Sequence, residues 1–146
     1  MWASGVTVIC YRSEKKSGGI TVSSFSSVSL DPPLVLFCLA KGSQAKEEIE
    51  SSKSFSVNIL TAEQKQISAD FASGSLDKEE VLKKLHPTFG ITGAPLLPDV
   101  LVNLDCKLQE MTDVGDHTIV IGLVEEAKIT EGQPLLYFNR NYQIIA

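Results

Sequence analysis

Apolar and polar side chains alternate with a period of two along much of this chain. The clearest case sets Val102, Leu104, Cys106 and Leu108 against Asn103, Asp105, Lys107 and Gln109, the pattern of a strand with one face turned to a core. Phe55, Val57 and Ile59 alternate with Ser56, Asn58 and Leu60 in the same way. The β-branched run from Val6 to Tyr11 and the segment Ile20–Phe25, joined by the polar stretch Arg12–Gly19, predict a hairpin. Thr118–Val124 predicts a strand returning from a turn at Met111–Asp116, with shorter strands near Ala127–Ile129 and Leu135–Phe138. Leu34–Ala40 departs from the alternation because every position is apolar, which predicts a strand buried on both faces. Asp31-Pro32-Pro33 forces a corner before it, since neither proline has an N–H for a ladder.

Helical signals lie between the strands and do not alternate regularly with them. Ser43 is placed to cap a helix running to Glu50 with Ala45 and Ile49 inward. Thr61-Ala-Glu-Gln64 has capping-box form and opens a helix carrying Ile67 and Phe71 on one face. Asp77 begins a third, with Val81, Leu82 and Leu85 as its stripe and His86-Pro87 as its stop. Phe89–Asp99, with Gly90, Gly93, Pro95 and Pro98, reads as an irregular loop. The sum is a mainly β protein, a small antiparallel barrel with short helical insertions, organised as one domain over residues 1–146.

Charge and composition narrow the partners. Thirteen basic against eighteen acidic residues give a net charge of −5, which argues against nucleic acid or an anionic membrane surface as the partner. No apolar run approaches the ~20 residues of a membrane span, and no secretory signal is visible at the start. Cys10, Cys38 and Cys106 are odd in number, fall inside predicted strands and lack metal-ligand spacing, so buried thiols and a cytoplasmic setting are expected. Neither a Gly-x-Gly-x-x-Gly turn after a strand nor a phosphate-binding Gly-rich loop is present, so any nucleotide must be held another way.

Between two predicted strands, Thr21, Ser23, Ser24, Ser26, Ser27 and Ser29 place six hydroxyls within nine residues. Uncharged donors and acceptors of this kind suit the edge of a planar or phosphorylated ligand, and equally a surface loop. The stretch from Gly19 through the Pro-Pro corner to Val35 closely resembles the flavin-binding segment of the flavin reductase-like family, whose fold is a split β-barrel. Gly5-Val-Thr-Val-Ile9, Phe55–Leu60 and Gly115-Asp-His-Thr-Ile-Val-Ile-Gly122 follow in the family's order, so the resemblance spans nearly the whole chain.

The resemblance implies a flavin reductase that passes hydride from NADH or NADPH to FMN, with FAD also admissible, and that works as a homodimer supplying a monooxygenase. It places Thr21, Ser23 and Ser24 along the flavin ring and Ser27, Val28 and Ser29 near the ribityl chain or phosphate. Ala40, Lys41 and Ser43 follow as a phosphate cradle at a helix start, although Lys41 also reads as a plain solvated lysine. Phe71 and Ala72 match a pair that lies close to the flavin; simple helix packing accounts for Phe71 equally well. His117 is implied beside the nicotinamide. A flavin module that only carries electrons or senses redox state is the alternative, and a barrel that has lost its flavin is the third. Related chains usually lead into the Gly-Val-Thr-Val-Ile strand through an additional helix, whereas this one reaches Gly5 almost at once.

Overall fold

The computed structural model describes residues 1–146. Strands β1 (Ser4–Gly5), β2 (Thr7–Arg12), β3 (Ser17–Val22), β4 (Ser26–Leu30) and β5 (Pro33–Ala40) lead into helix α1 (Gln44–Ser52). β6 (Ser54–Ile59) precedes α2 (Lys65–Ala72) and α3 (Lys78–Lys84). Two short strands, β7 (Thr88–Phe89) and β8 (Pro95–Leu96), are followed by the long pair β9 (Val102–Val114) and β10 (His117–Ile129). The chain ends through β11 (Leu136–Phe138) and β12 (Asn141–Gln143).

Seven strands form one antiparallel sheet in the order β3-β2-β6-β9-β10-β5-β4. Its two ends, β3 and β4, are consecutive in the chain and joined only by Ser23, Ser24 and Phe25. Three residues span little distance, so the sheet must curl until its edges approach. The result is the expected split barrel, closed everywhere except along one seam. Ile9, Phe37, Phe55, Val57, Leu39 and Val120 fill the interior, and Ala45 and Ile49 of α1 join that core. A second core lies outside the wall, where Val8 and Cys10 meet Phe71 of α2, Leu82 of α3 and Leu97.

The helices follow their sequence signals closely. Ser43 Oγ accepts from the Lys46 N–H at 3.2 Å, Gln64 accepts from the Thr61 N–H at 3.0 Å, and Asp77 accepts from the Glu79 N–H at 3.0 Å. His86 takes a positive φ of 52° and stops α3. Several strand boundaries move. β3 starts earlier than the apolar pattern suggests, because Gly18 and Gly19 are strand residues; a Cβ on Gly19 would lie 2.9 Å from the Phe71 ring. The Ser-rich segment contains an edge strand, β4, and the hairpin through a cis Asp31–Pro32 peptide pairs Leu30 with Pro33. The separate strand expected near Ala127–Ile129 is the end of β10, which runs through two register shifts against β9. The loop expected at Phe89–Asp99 carries the β7–β8 pair.

Two corrections concern which faces are buried. β5 is not buried on both faces: Val35, Phe37 and Leu39 point into the barrel while Leu34, Leu36 and Cys38 stay half-exposed outside. Cys10 and Cys106 are buried as expected, but Cys38 is not. In β9 the polar alternates Asn103 and Asp105 are buried as well, because the segment from Thr88 to Leu97 folds over them.

Candidate functional site

The seam of the barrel supplies the site. β3 has β2 on one side only, and beyond Leu36 strand β5 has only β10. An edge strand points half of its main-chain N–H and C=O groups away from its single neighbour. One side chain bridges the gap: Ser24 Oγ accepts from the Cys38 N–H at 2.9 Å and lies 3.4 Å from the Cys38 carbonyl. Around that bridge the edges enclose a cleft of about 310 Å³, walled by Ile20–Ser24, Cys38–Ala40 and His117.

A second cleft of about 330 Å³ shares Ile20 and Thr21 with the first. Its walls are Tyr11, Gly19, the α1 entry Ser43–Ala45, the end of α2 from Phe71 to Ser73, and Lys78. The Thr21 hydroxyl at the junction donates to the Ser68 carbonyl at 2.7 Å, which ties β3 to α2. Phe71 is almost fully buried against Gly19, so it forms the floor of this cleft.

His117 stands at the far end of the first cleft, at the tip of the β9–β10 hairpin. Val114 pairs directly with His117, and Gly115 takes a φ of 60° to allow the two-residue turn. Its Nδ1 lies 2.8 Å from Asp116 Oδ1, an arrangement that fixes the ring and leaves Nε2 free. The imidazole's hydrogen bond and charge hold the Asp116 carboxyl below its usual range. Nearby, Asp113 is also held low, first by the Thr118 hydroxyl at 2.6 Å and then by Lys46 and Lys41.

The walls of the first cleft carry hydroxyls, main-chain amides and aliphatic side chains, with no charged group except at the His117 end. Such a lining suits a flat ring that is uncharged on its faces and polar along one edge. The second cleft ends in Lys78 and the start of α1, which suits a negative charge.

The structure brings Thr21, Ser23, Ser24, Ala40 and His117 together around the first cleft, and Thr21, Ser43, Phe71 and Ala72 around the second. Ser27, Val28 and Ser29 lie on the largely exposed edge strand β4, outside both linings, and Lys41 is exposed past the opposite end of β5, with its main-chain N–H on the Asp116 carbonyl. Ile20, Cys38, Tyr11 and Lys78 line the clefts without having been singled out in the sequence. An all-apolar run does not show that Cys38 faces a gap. Tyr11 and Lys78 are far apart in the chain and meet only through the fold.

Comparison with known proteins places this geometry. The family model described as the flavin reductase like domain matches residues 2–146. The reductase subunit HsaB of a flavin-dependent monooxygenase from Mycobacterium tuberculosis is 36% identical over 144 residues, covering 97% of this chain and 75% of that protein. The FMN reductase (NADH) SmoA of Agrobacterium fabrum is 34% identical over 136 residues, covering 93% of this chain and 76% of its own length. Among solved structures, the Streptomyces globisporus NADH:FAD oxidoreductase SgcE6, in complex with NAD and FAD fragments, superposes with a TM-score of 0.91. It is 31% identical and the match covers 99% of this chain and 87% of that one.

Proposed function

This chain belongs to the family of flavin reductase-like domains, and on that premise we propose that it is an NADH-dependent flavin reductase in which residues 1–146 act as one domain. The observation that carries the reading is the pair of adjoining clefts along the barrel seam, sharing Ile20 and Thr21, one lined by uncharged polar groups and the other ending in a cation. Those residues fit a flavin nucleotide, FMN or FAD, with its ring in the first cleft. The flavin supplies the redox chemistry, accepting hydride from the reduced nicotinamide.

The chain's own residues bind and orient. Ser23, Ser24 and the open main-chain edges of β3 and β5 offer hydrogen bonds to the polar rim of a ring. Ile20 and Ala40 supply apolar contact, and Thr21 stays held by Ser68 so that β3 does not drift. Ser24 does double duty, since its bridge to Cys38 sets the width of the gap. His117, held by Asp116 and half-exposed, offers Nε2 to the nicotinamide at the mouth. Direct hydride transfer between two bound rings asks for alignment and proximity, so no protein nucleophile or metal enters this reading.

The protein works as a homodimer in this reading. Leu34 and Leu36 of β5 stand opposite Leu123 and Ile121 of β10 on the outer face, all half-exposed, in one apolar patch. A patch of this kind asks for a cover, and a second copy is the simplest one. Ile121→Asp should therefore yield a monomer by sedimentation; a dimer of unchanged affinity would remove that assignment. Free cysteines agree with a cytoplasmic setting, and no helix is long and apolar enough to cross a membrane. Reduced flavin passes to a partner monooxygenase, as the names of the relatives suggest for those proteins.

The deciding experiment is steady-state NADH and NADPH oxidation with added FMN, FAD and riboflavin. Turnover that saturates with free flavin supports the reductase. A tightly held flavin without turnover would point to an electron carrier, and a protein that binds no flavin would sink both.

A further inference from the structure

We propose that Tyr11 and Lys78, with the first turn of α1, seat the phosphate of the flavin and select a phosphorylated flavin over riboflavin. The inference rests on the flavin reductase reading and adds to it a phosphate seat distinct from Lys41, the cation that the sequence brings forward.

Tyr11 is only 3% exposed, yet its hydroxyl has no hydrogen-bond partner in the protein while the residue lines the second cleft. The hydroxyl of a tyrosine buried that deeply normally finds a partner. No fully inaccessible polar side-chain atom lacks one here, so the Tyr11 hydroxyl reaches the cleft surface. Gly18 brings the two residues together: a Cβ there would lie 2.8 Å from Tyr11 Oη and 3.3 Å from Lys78 Cβ, and both side chains line the same cleft. Lys78 Nζ donates to the Ser73 carbonyl and, at 3.1 Å, to the Leu76 carbonyl, which anchors it and leaves its third proton free.

The third donor set comes from α1. Ser43 Oγ takes the Lys46 N–H, and the N–H groups of Gln44 and Ala45 remain at the open end of the helix, on the wall of the same cleft. Residues bearing a phenol, an ammonium and free main-chain amides thus line one cleft, and no carboxylate does. Glu48, the carboxylate whose charge acts on Tyr11, is engaged by the Ser13 hydroxyl. Burial, with Glu48 second, pushes Tyr11 up to about 12, so at neutral pH it keeps its proton and donates. Surplus donors without an acceptor call for an oxyanion. Because this cleft adjoins the ring cleft, sharing Ile20 and Thr21 as wall residues, one flavin nucleotide is placed to reach from one into the other.

The test compares FMN and riboflavin affinities by titration calorimetry for the native protein, Tyr11→Phe and Lys78→Met. The native protein should prefer FMN by about tenfold or more, and each variant should lose roughly five- to tenfold of that preference with riboflavin affinity unchanged, the worth of about one hydrogen bond. Lys78→Met also releases two main-chain carbonyls, so Tyr11→Phe is the cleaner arm and melting temperatures accompany both. Parallel losses for the two flavins, or no change in either variant, overturn the proposal. So does a raised NADH KM with intact flavin affinities, which would give the cleft to the dinucleotide's pyrophosphate. A native protein that binds riboflavin as tightly as FMN ends this proposal alone, whereas one that binds neither ends the flavin reductase reading beneath it.

Discussion

Two regions of this barrel wall carry polar side chains at strand positions, and the protein treats them in opposite ways. On the outer face of β6 and β9, Ser56 stands opposite Asp105 and Asn58 opposite Asn103, all four buried. Asn58 Nδ2 donates to the Val8 carbonyl at 3.0 Å and to Ser56 Oγ at 2.9 Å, while its Oδ1 accepts from Leu97 N at 3.0 Å and Asn103 Nδ2 at 2.8 Å. Ser56 donates to the Pro95 carbonyl, and Asp105 accepts from both the N–H and the hydroxyl of Thr92. The protein therefore supplies both sides of every bond, and the Thr88–Leu97 segment is sealed onto the wall. Along the seam, Ser23 and Ser24 are exposed, the Tyr11 hydroxyl is unpartnered and the strand edges are open. Residue type does not separate the two regions. What separates them is whether the neighbouring chain satisfies the polar groups, and only the unsatisfied region is free to bind.

The comparison can be broken most forcefully at Asn58. Asn58→Ala strips four bonds from a buried network and should cost about 3 kcal/mol or more of stability. Urea unfolding would show it, with flavin affinity per folded molecule unchanged. A near-neutral result would mean that the network is not structural. His117→Ala should do the reverse: stability holds while the nicotinamide KM rises roughly tenfold, the loss of about one hydrogen bond. A larger fall in flavin affinity than in nicotinamide KM would remove its role at the mouth.

Cysteine chemistry sharpens the contrast further. Burial raises the thiols of Cys10 and Cys106, the latter to about 12 with Asp105 and Glu125 adding to it, whereas Cys38 lies half-exposed at the seam. An alkylating reagent should therefore label Cys38 first in the native protein, and bound FMN should slow it severalfold; mass spectrometry of the labelled peptides decides. Labelling of Cys38 indifferent to FMN would place the flavin elsewhere.

The smallest expected effect lies beside the site. Asp113 is held low chiefly by the Thr118 hydroxyl. Its contribution to stability is present above the unfolded carboxylate value and is lost as pH falls through the depressed folded one. Thr118→Val should thus widen the stability gap to the native protein at pH 7 and narrow it near pH 3. Urea midpoints at the two pH values test it, and an equal gap at both would separate the two residues.

Much of this architecture is legible without coordinates because it is local. Period two along β6 and β9, capping residues Ser43 and Asp77, and the Pro-Pro corner each act within a few positions of themselves. The Ser-rich segment and the Gly-Asp-His turn likewise point to the seam before any distance is known, and Thr21, Ser24 and His117 do meet there. What alternation leaves open is the fate of each face. Asn103 and Asp105 look solvent-facing until another segment closes over them, and Leu36 and Cys38 look buried although nothing within this chain covers them.

Local pattern therefore determined the strands, the helix starts and the neighbourhood of the seam. Tertiary structure alone decided which polar groups are answered by the protein, because a hydrogen-bond partner remote in sequence leaves no mark on local periodicity. Tyr11 beside Lys78 is the plainest instance: neither residue signals the other, and their meeting across Gly18 exists only once the sheet has curled and α3 has docked.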